Sequence, residues 1–441
     1  MPPVPPLLAR RSSDEYAPQP YREPDLLALD ALDPRTAFET RLGTAATLRA
    51  IDAAAGGAFY AVPADAEHDR DAADECFAAG GPVIDVQTHF VEPSRWDSGG
   101  QALAAFQRMV DPDRWGGVID PRHLAGEQWA AQVFAGSETA VAVITGLPGL
   151  PDEMLTPNDE IAAVRDVVDR YAGTGRVLTH TIVHPNLGPA ELDRLPRWRD
   201  ALRPAAWKVY TLWDPPGIGQ GGFFLDDERF GIPFLERVRA IGPRIVCAHK
   251  GIGGPVPHAT AAGSSPRDIP PAAKAFPDIA FVVYHSGYDV DPTGEEGAYD
   301  VAGSGVNRLV ASLDAAGIGP GQNVWAELGS TWFLMLRRPL EAAHVLGKLL
   351  LAVGPERILW GTDSIWYGPP QPLIDAFRAF RIPDWMQERF GYPALTPEIT
   401  QRILADNAVA LYGLDPAVLP VVGDHLAWLD AVRAELAPRD A

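Results

Sequence analysis

From residue 82 onward the chain repeats one short pattern: a run of β-branched and aromatic residues, closed by polar or turn residues, then a stretch with helical spacing. The runs are PVIDVQTH (82–89), AVAVIT (140–145), RVLTHTIVH (176–184), AAWKVYT (205–211), PRIVCAH (243–249), DIAFVVYH (278–285), NVWAELG (323–329) and RILWGTD (357–363). Between them, segments such as 158–172 place Ile161, Val164, Val168 and Tyr171 at helical spacing behind an Asn-Asp-Glu start that suits a helix N-terminus. Eight strand-helix units predict an α/β fold in which the strands close into a (β/α)8 TIM barrel rather than an open sheet.

The ends of the chain read differently. Residues 1–80 form a Pro-rich tail and N-terminal extension, in which 1–35 are too Pro-rich and polar for a packed element and 36–58 are Ala-rich and helix-compatible. Residues 81–415 are expected to be the catalytic barrel, closed by a helix over 396–414. Residues 416–441 are expected to be a helical tail, with Leu426, Leu429, Val432 and Leu436 packing it on the barrel. The Gly/Pro-rich segments 251–270 and 287–305 read as long loops forming a lid over the barrel mouth.

A formal net charge of −21 with no basic cluster argues against nucleic acid as a partner. No apolar run reaches the length of a membrane span, and the first twenty residues lack the apolar core of a secretory signal. Only Cys76 and Cys247 are present, which points to reduced thiols and a cytoplasmic setting. The expected partner is a small-molecule substrate. The C-terminal helix or a Trp-rich loop offers a homodimer contact.

In such a barrel, chemistry gathers at the C-terminal ends of the strands. Those ends here carry Gln87 and His89, His184, His249, His285 and Asp363. Neutral imidazoles and a carboxylate suit Zn²⁺, or alternatively Mn²⁺, and His89, His249 and Asp363 supply them. Gln87, two residues before His89, stands where a second imidazole would complete a common metal-binding pair; it either ligates through its amide oxygen or orients water. Lys208 and Tyr210 share one face of the fourth run, and Trp213, Trp332, Trp366 and Tyr367 follow strand ends as candidates to line a substrate pocket. His184 is a candidate substrate contact. His180 lies inside a strand and reads as packing, and His68, His123, His258, His344 and His425 read as ordinary core or surface residues. No G-x-S-x-G elbow appears, and neither cysteine has a recognisable catalytic context.

The order Asp-x-Gln-Thr-His, WKVYTLW, LDDERFGIPFLERVRAIG, VCAHKG, PDIAFVVYHSGY, RILWGTDS and LADNAVALYGL resembles the amidohydrolase-related branch of the amidohydrolase superfamily, the group containing aminocarboxymuconate semialdehyde decarboxylase and γ-resorcylate decarboxylase. The likeness covers roughly residues 82–414. It implies a barrel with one or two divalent metal ions held by His89, His249 and Asp363. It also implies His285 as general acid/base or second-metal ligand, and Lys208 near a position that some relatives carbamylate. Gln87 departs from the pattern. The leading expectation is hydrolysis of an amide, lactone or related carbonyl bond, with Asp363 taking a proton from metal-activated water, His285 assisting the leaving group, and Lys208 or Tyr210 holding an anionic or carbonyl part of the substrate. Nonoxidative decarboxylation of an aromatic or unsaturated acid is the alternative, and a metal-poor barrel that only binds ligands or serves a structural role is a third.

Overall fold

The computed structural model describes residues 40–437 apart from 79, 111–118, 174, 218, 220, 254, 255, 257, 290–295 and 420–425. Eight parallel strands follow one another in order around the sheet: β1 (Val83–Thr88), β2 (Thr139–Ile144), β3 (Val177–Ile182), β4 (Ala206–Tyr210), β5 (Ile245–His249), β6 (Ala280–Tyr284), β7 (Val324–Glu327) and β8 (Ile358–Leu359). All eight predicted runs hold a strand. The eighth is the shortest because the chain after Leu359 turns to bond back to the first strand. Val86 N donates to Trp360 O at 3.0 Å, Asp363 N donates to Gln87 O at 2.8 Å, and Thr88 bridges Ser364. These bonds join the last edge to the first, and the fold is a (β/α)8 TIM barrel.

The strands are apolar on both faces because each face is covered. Ile84, Val86, Val141, Val143, Ala206, Cys247, Val282, Tyr284, Trp325 and Leu359 fill the cylinder. Their neighbours of opposite parity, among them Trp207, Val209, Val246, Phe281, Val283 and Ala326, pack outward against the helices. This alternation sends Lys208, which shares parity with Ala206, into the interior.

The helix predicted within 36–58 runs over Arg41–Ala54, capped by the Thr40 hydroxyl, which accepts from Gly43 N at 3.1 Å. It is no loose appendage. Ala45, Leu48 and Ile51 are buried in the same apolar cluster as the outer faces of β4 to β7, and Tyr60 pairs with Phe380. At the other end the expected tail helix spans Leu426–Leu436, where Trp428, Leu429 and Val432 pack among residues of the helix Asn158–Ala172. His425, the lid residues 254, 255, 257 and 290–295, and the whole Pro-rich tail over 1–35 lie outside the described residues. Both cysteines are free thiols, and no helix among the described residues is long and apolar enough to cross a membrane.

Truncating Leu48 to Ala removes a wholly buried side chain shared by the extension and the barrel. The expected loss is ~2–5 kcal/mol of unfolding free energy, read by urea titration. A loss under ~1 kcal/mol would mean that the extension contributes little to barrel stability.

Candidate active site

The strand ends converge as the barrel closes. Gln87 and His89 leave β1, His249 ends β5, His285 follows β6, and Asp363 lies four residues past β8. All five line one cavity at the C-terminal mouth, and all are buried. Its walls include Leu103, Leu147, Leu150, Leu155, Trp213, Ile252, Val256 and Trp366, so a small polar floor sits beneath an apolar chamber.

The tautomers of the two facing imidazoles follow from their partners. His249 Nε2 lies 2.6 Å from Ile252 O, and His285 Nδ1 lies 2.6 Å from Gly329 O. A carbonyl oxygen only accepts, so both of these nitrogens carry the proton. The remaining nitrogens, His249 Nδ1 and His285 Nε2, face each other at 3.2 Å with two lone pairs. Two neutral rings cannot hydrogen-bond in that arrangement, which suits a shared proton or a metal cation between them. Burial holds His249 well below the usual imidazole range and His285 at about 4, with the neighbouring His285 and Lys208 charges adding to the effect on His249.

Asp363 is occupied on both oxygens. Oδ1 accepts from Gln87 Nε2 at 3.0 Å and from His89 Nε2 at 2.9 Å, and Oδ2 accepts from the Ser330 hydroxyl. Since Ser330 spends its only proton there, the Tyr367 hydroxyl, 2.7 Å away, must donate to Ser330. Burial by itself would raise the Asp363 carboxyl, but the His89 hydrogen bond and charge, His285 and Ser330 together hold it well below the usual range. Gln87 thus presents its nitrogen to Asp363. Its buried amide oxygen has no hydrogen-bond partner, while its nitrogen holds the carboxylate.

Tyr210, Trp213 and Trp366 line the cavity as the sequence predicts. Trp366 stacks on His89, and the Tyr210 ring lies over His249 with centroids 4.7 Å apart. Tyr210 gives its proton to Gly146 O at 3.1 Å, so it is placed to accept a hydrogen bond from a substrate, not to hold an anion. The other four expected pocket residues are not among those lining it. Trp332 sits in the short helix Thr331–Met335, which turns its indole into the helix layer against Phe377 and Phe380. His184 stands behind Trp213, with ring centroids 4.4 Å apart. Tyr367 stacks on Phe333 and touches Ser330, which bonds Asp363. Lys208 lies deeper in the barrel, its Nζ 3.1 Å from the Tyr284 ring centroid, and burial lowers its pKa to about 7.

Four residues carry site roles that the sequence reading did not assign. His258 lines the mouth, and Ser330 anchors Asp363. Asp85 accepts from Thr362 N at 3.0 Å and from Gln87 N at 3.2 Å, which ties the β1–β8 seam together. Glu327, wholly buried at the end of β7, accepts from His285 N at 3.0 Å and from Gly329 N. The signal for Glu327 was its position, a carboxylate closing a barrel strand. By contrast His180, held by Tyr284 and Tyr412, and His344, 3.0 Å from the Tyr392 hydroxyl, are packing residues as expected.

A tetrahedral ion with bonds of 2.0–2.1 Å spaces its donors about 3.3 Å apart. The His249 Nδ1–His285 Nε2 separation of 3.2 Å is close to that value, whereas His89 Nε2 and Asp363 Oδ1 are joined at 2.9 Å by a hydrogen bond that a bound cation would replace. Among the described residues no three His, Cys, Asp or Glu side chains form a complete coordinating group. The fit therefore lies in the chemistry of the donors, the imidazole nitrogens and the carboxylate that share the floor of the cavity.

The amidohydrolase family profile matches residues 84–414, and the chain belongs to that family. Its barrel is similar to solved decarboxylase structures. One is 2,6-dihydroxybenzoate decarboxylase complexed with 2,6-dihydroxybenzoate, at 15% identity over 76% of this chain and 100% of that one, with TM-score 0.46. Another is 5-carboxyvanillate decarboxylase LigW from Sphingomonas paucimobilis, at 13% identity over 76% and 100%, with TM-score 0.46. A third, dihydroxybenzoic acid decarboxylase from Polaromonas sp. JS666, contains manganese and 2-nitroresorcinol; identity is 14% over 76% and 98%, with TM-score 0.44. No curated protein matches the chain. Likenesses this distant carry no weight for the chemistry, which rests on the residues of the site itself.

Burial raises the Glu327 carboxyl from 4.5 to about 8 against the backbone N–H groups of His285 and Gly329, which favour its ionised form. The group therefore gives up its proton at higher pH in the folded chain than in the unfolded one, and both its oxygens accept as a carboxylate once it has gone. Its contribution to stability is complete below about pH 4.5 and is lost as pH rises through about 8. Denaturation across that window should show wild-type stability falling with pH relative to Glu327→Gln. Parallel curves would show that Glu327 does not take up this proton on folding.

Proposed function

We propose that this chain is a divalent-metal-dependent decarboxylase that removes CO₂, without oxidation, from an aromatic or unsaturated carboxylic acid. The observation that carries this reading is the division of labour between Asp363 and His285. Hydrolysis needs a base for water, and Asp363, engaged by Gln87, His89 and Ser330 and held well below the usual carboxylate range, is a weak one. His285 turns Nε2 toward the cavity, 3.2 Å from His249 Nδ1, and takes over the proton chemistry.

The apolar walls and the two indoles suit a planar, weakly polar substrate body, and Tyr210 accepts a hydrogen bond from a substrate hydroxyl. His89, His249 and Asp363 would hold the cation, which when bound supplies Lewis acidity to a substrate oxygen and offsets the carboxylate charge. Protonated His285, an acid of pKa about 4, gives its Nε2 proton to the carbon that bears the carboxylate. The carbon–carboxylate bond then breaks and its electron pair returns to the ring or double bond. CO₂ departs, and His285 regains a proton from solvent. Overall, one carboxylate and one proton become one C–H bond and CO₂. Surroundings of low polarity favour this course, because the localised carboxylate charge disperses as the bond breaks.

Purified without chelator, the chain should contain about one transition-metal ion, counted by elemental analysis; a metal-free chain that turns nothing over supports the ligand-binding barrel instead. Hydroxybenzoates and unsaturated acids in D₂O enriched in ¹⁸O should release CO₂, leaving deuterium at the vacated carbon and no ¹⁸O in the organic product. Organic ¹⁸O without CO₂ would establish hydrolysis. His285→Asn should retain the metal but lower kcat by ~10²–10⁴, whereas Asp363→Asn should lose both metal and turnover. Full activity in His285→Asn would remove His285 from the mechanism.

A further inference from the structure

Glu327 forms a closed circuit with the imidazole it supports. One carboxylate oxygen accepts from the backbone N–H of His285 at 3.0 Å, and the other accepts from the backbone N–H of Gly329. The carbonyl of that same Gly329 takes the proton of His285 Nδ1 at 2.6 Å. The side chain therefore grips both halves of the hydrogen bond that decides which nitrogen of His285 faces the cavity. Two further bonds brace the circuit: Ser286 Oγ donates to Glu327 O at 2.8 Å, and Thr331 Oγ1 donates to His285 O at 3.0 Å.

The neighbourhood is shaped around this carboxylate. A Cβ added at Gly361 would lie 1.9 Å from Glu327 Oε1, and one at Gly329 would lie 2.7 Å from it and 2.2 Å from Gln87 Oε1. Neither glycine has the positive φ that would explain it by backbone conformation, so space is the reason for both. His285, Ser286 and Ser330 do hold positive φ values of 59°, 53° and 55°, a conformation that persists only where the surroundings enforce it. The Glu327 carboxylate supplies the enforcing contact at His285.

We propose that Glu327 is the positioning residue for His285, fixing its backbone and its Nδ1–H tautomer so that Nε2 presents a lone pair to the cavity. This rests on the role given to His285 above, although the arrangement can be tested on the ring itself. Glutamine has one accepting oxygen, and its amide nitrogen would confront one of the two backbone donors; that side of the circuit opens and His285 shifts against Gly329 O.

The test is imidazole ¹⁵N NMR on histidine-labelled full-length protein as purified, with the His285 resonances assigned by their absence in His285→Asn. Wild type should show a single Nδ1–H tautomer at His285, and Glu327→Gln should lose it for a mixture with Nε2–H while far-UV circular dichroism stays native. A single unchanged tautomer in folded Glu327→Gln overturns the proposal. Should that variant not fold, Glu327→Asp, one methylene short of spanning both donors, is read by the same criterion. Tautomer loss in a protein that releases no CO₂ keeps the clamp and removes the decarboxylase reading. CO₂ release with an unchanged tautomer in the variant does the reverse.

Discussion

Two backbone carbonyls set the chemistry of this barrel. Ile252 O and Gly329 O each claim one N–H of a buried histidine, and the opposite nitrogens are left 3.2 Å apart with nothing to donate. Everything else at the floor of the cavity accommodates that confrontation. A carboxylate lies close by, burial disfavours spare protons on the rings, and a cation or a transferable proton becomes the natural occupant. A site built from rotatable side chains alone would relax into ordinary hydrogen bonds; peptide carbonyls of fixed direction do not permit it.

Holding such groups in place concentrates backbone strain. Asp363 joins His285, Ser286 and Ser330 at positive φ, and each such residue costs about 1–3 kcal/mol when its surroundings must impose the conformation. The strain sits just past the ends of β6, β7 and β8, where a rigid cylinder of wholly buried strands can enforce it. Gln87, Ser330 and Asp85 serve the same end at the β1–β8 seam. Gln87 and Ser330 engage Asp363, and Asp85 ties Thr362 to the first strand, so the carboxylate is held in one place.

Much of this was legible along the chain. The alternation of apolar runs and helical stretches identified all eight strands, and the position of a residue at a strand end brought Gln87, His89, His249, His285 and Asp363 into one cavity. Inference failed where direction depended on a loop. Trp332 follows a strand end as Trp366 does, but a helical turn sends its indole outward into the helix layer. Tyr210 lines the cavity, yet its proton belongs to Gly146, from a different unit of the barrel. Lys208 faces inward as its parity requires, only too deep to border the chamber. Glu327 went unassigned because its partners are peptide groups, which no side-chain pattern announces.

The amino-acid order alone determined the number of strands, their parity and which residues stand at their ends. Those properties follow from local periodicity and from the need to cover a sheet on both faces. Tertiary structure alone decided which nitrogen of each histidine carries the proton, whether Gln87 turns oxygen or nitrogen toward Asp363, and which aromatic rings reach the cavity. Each of these depends on a hydrogen-bond partner or packing neighbour contributed by another turn of the barrel. Such a partner exists only once the eight strands have closed.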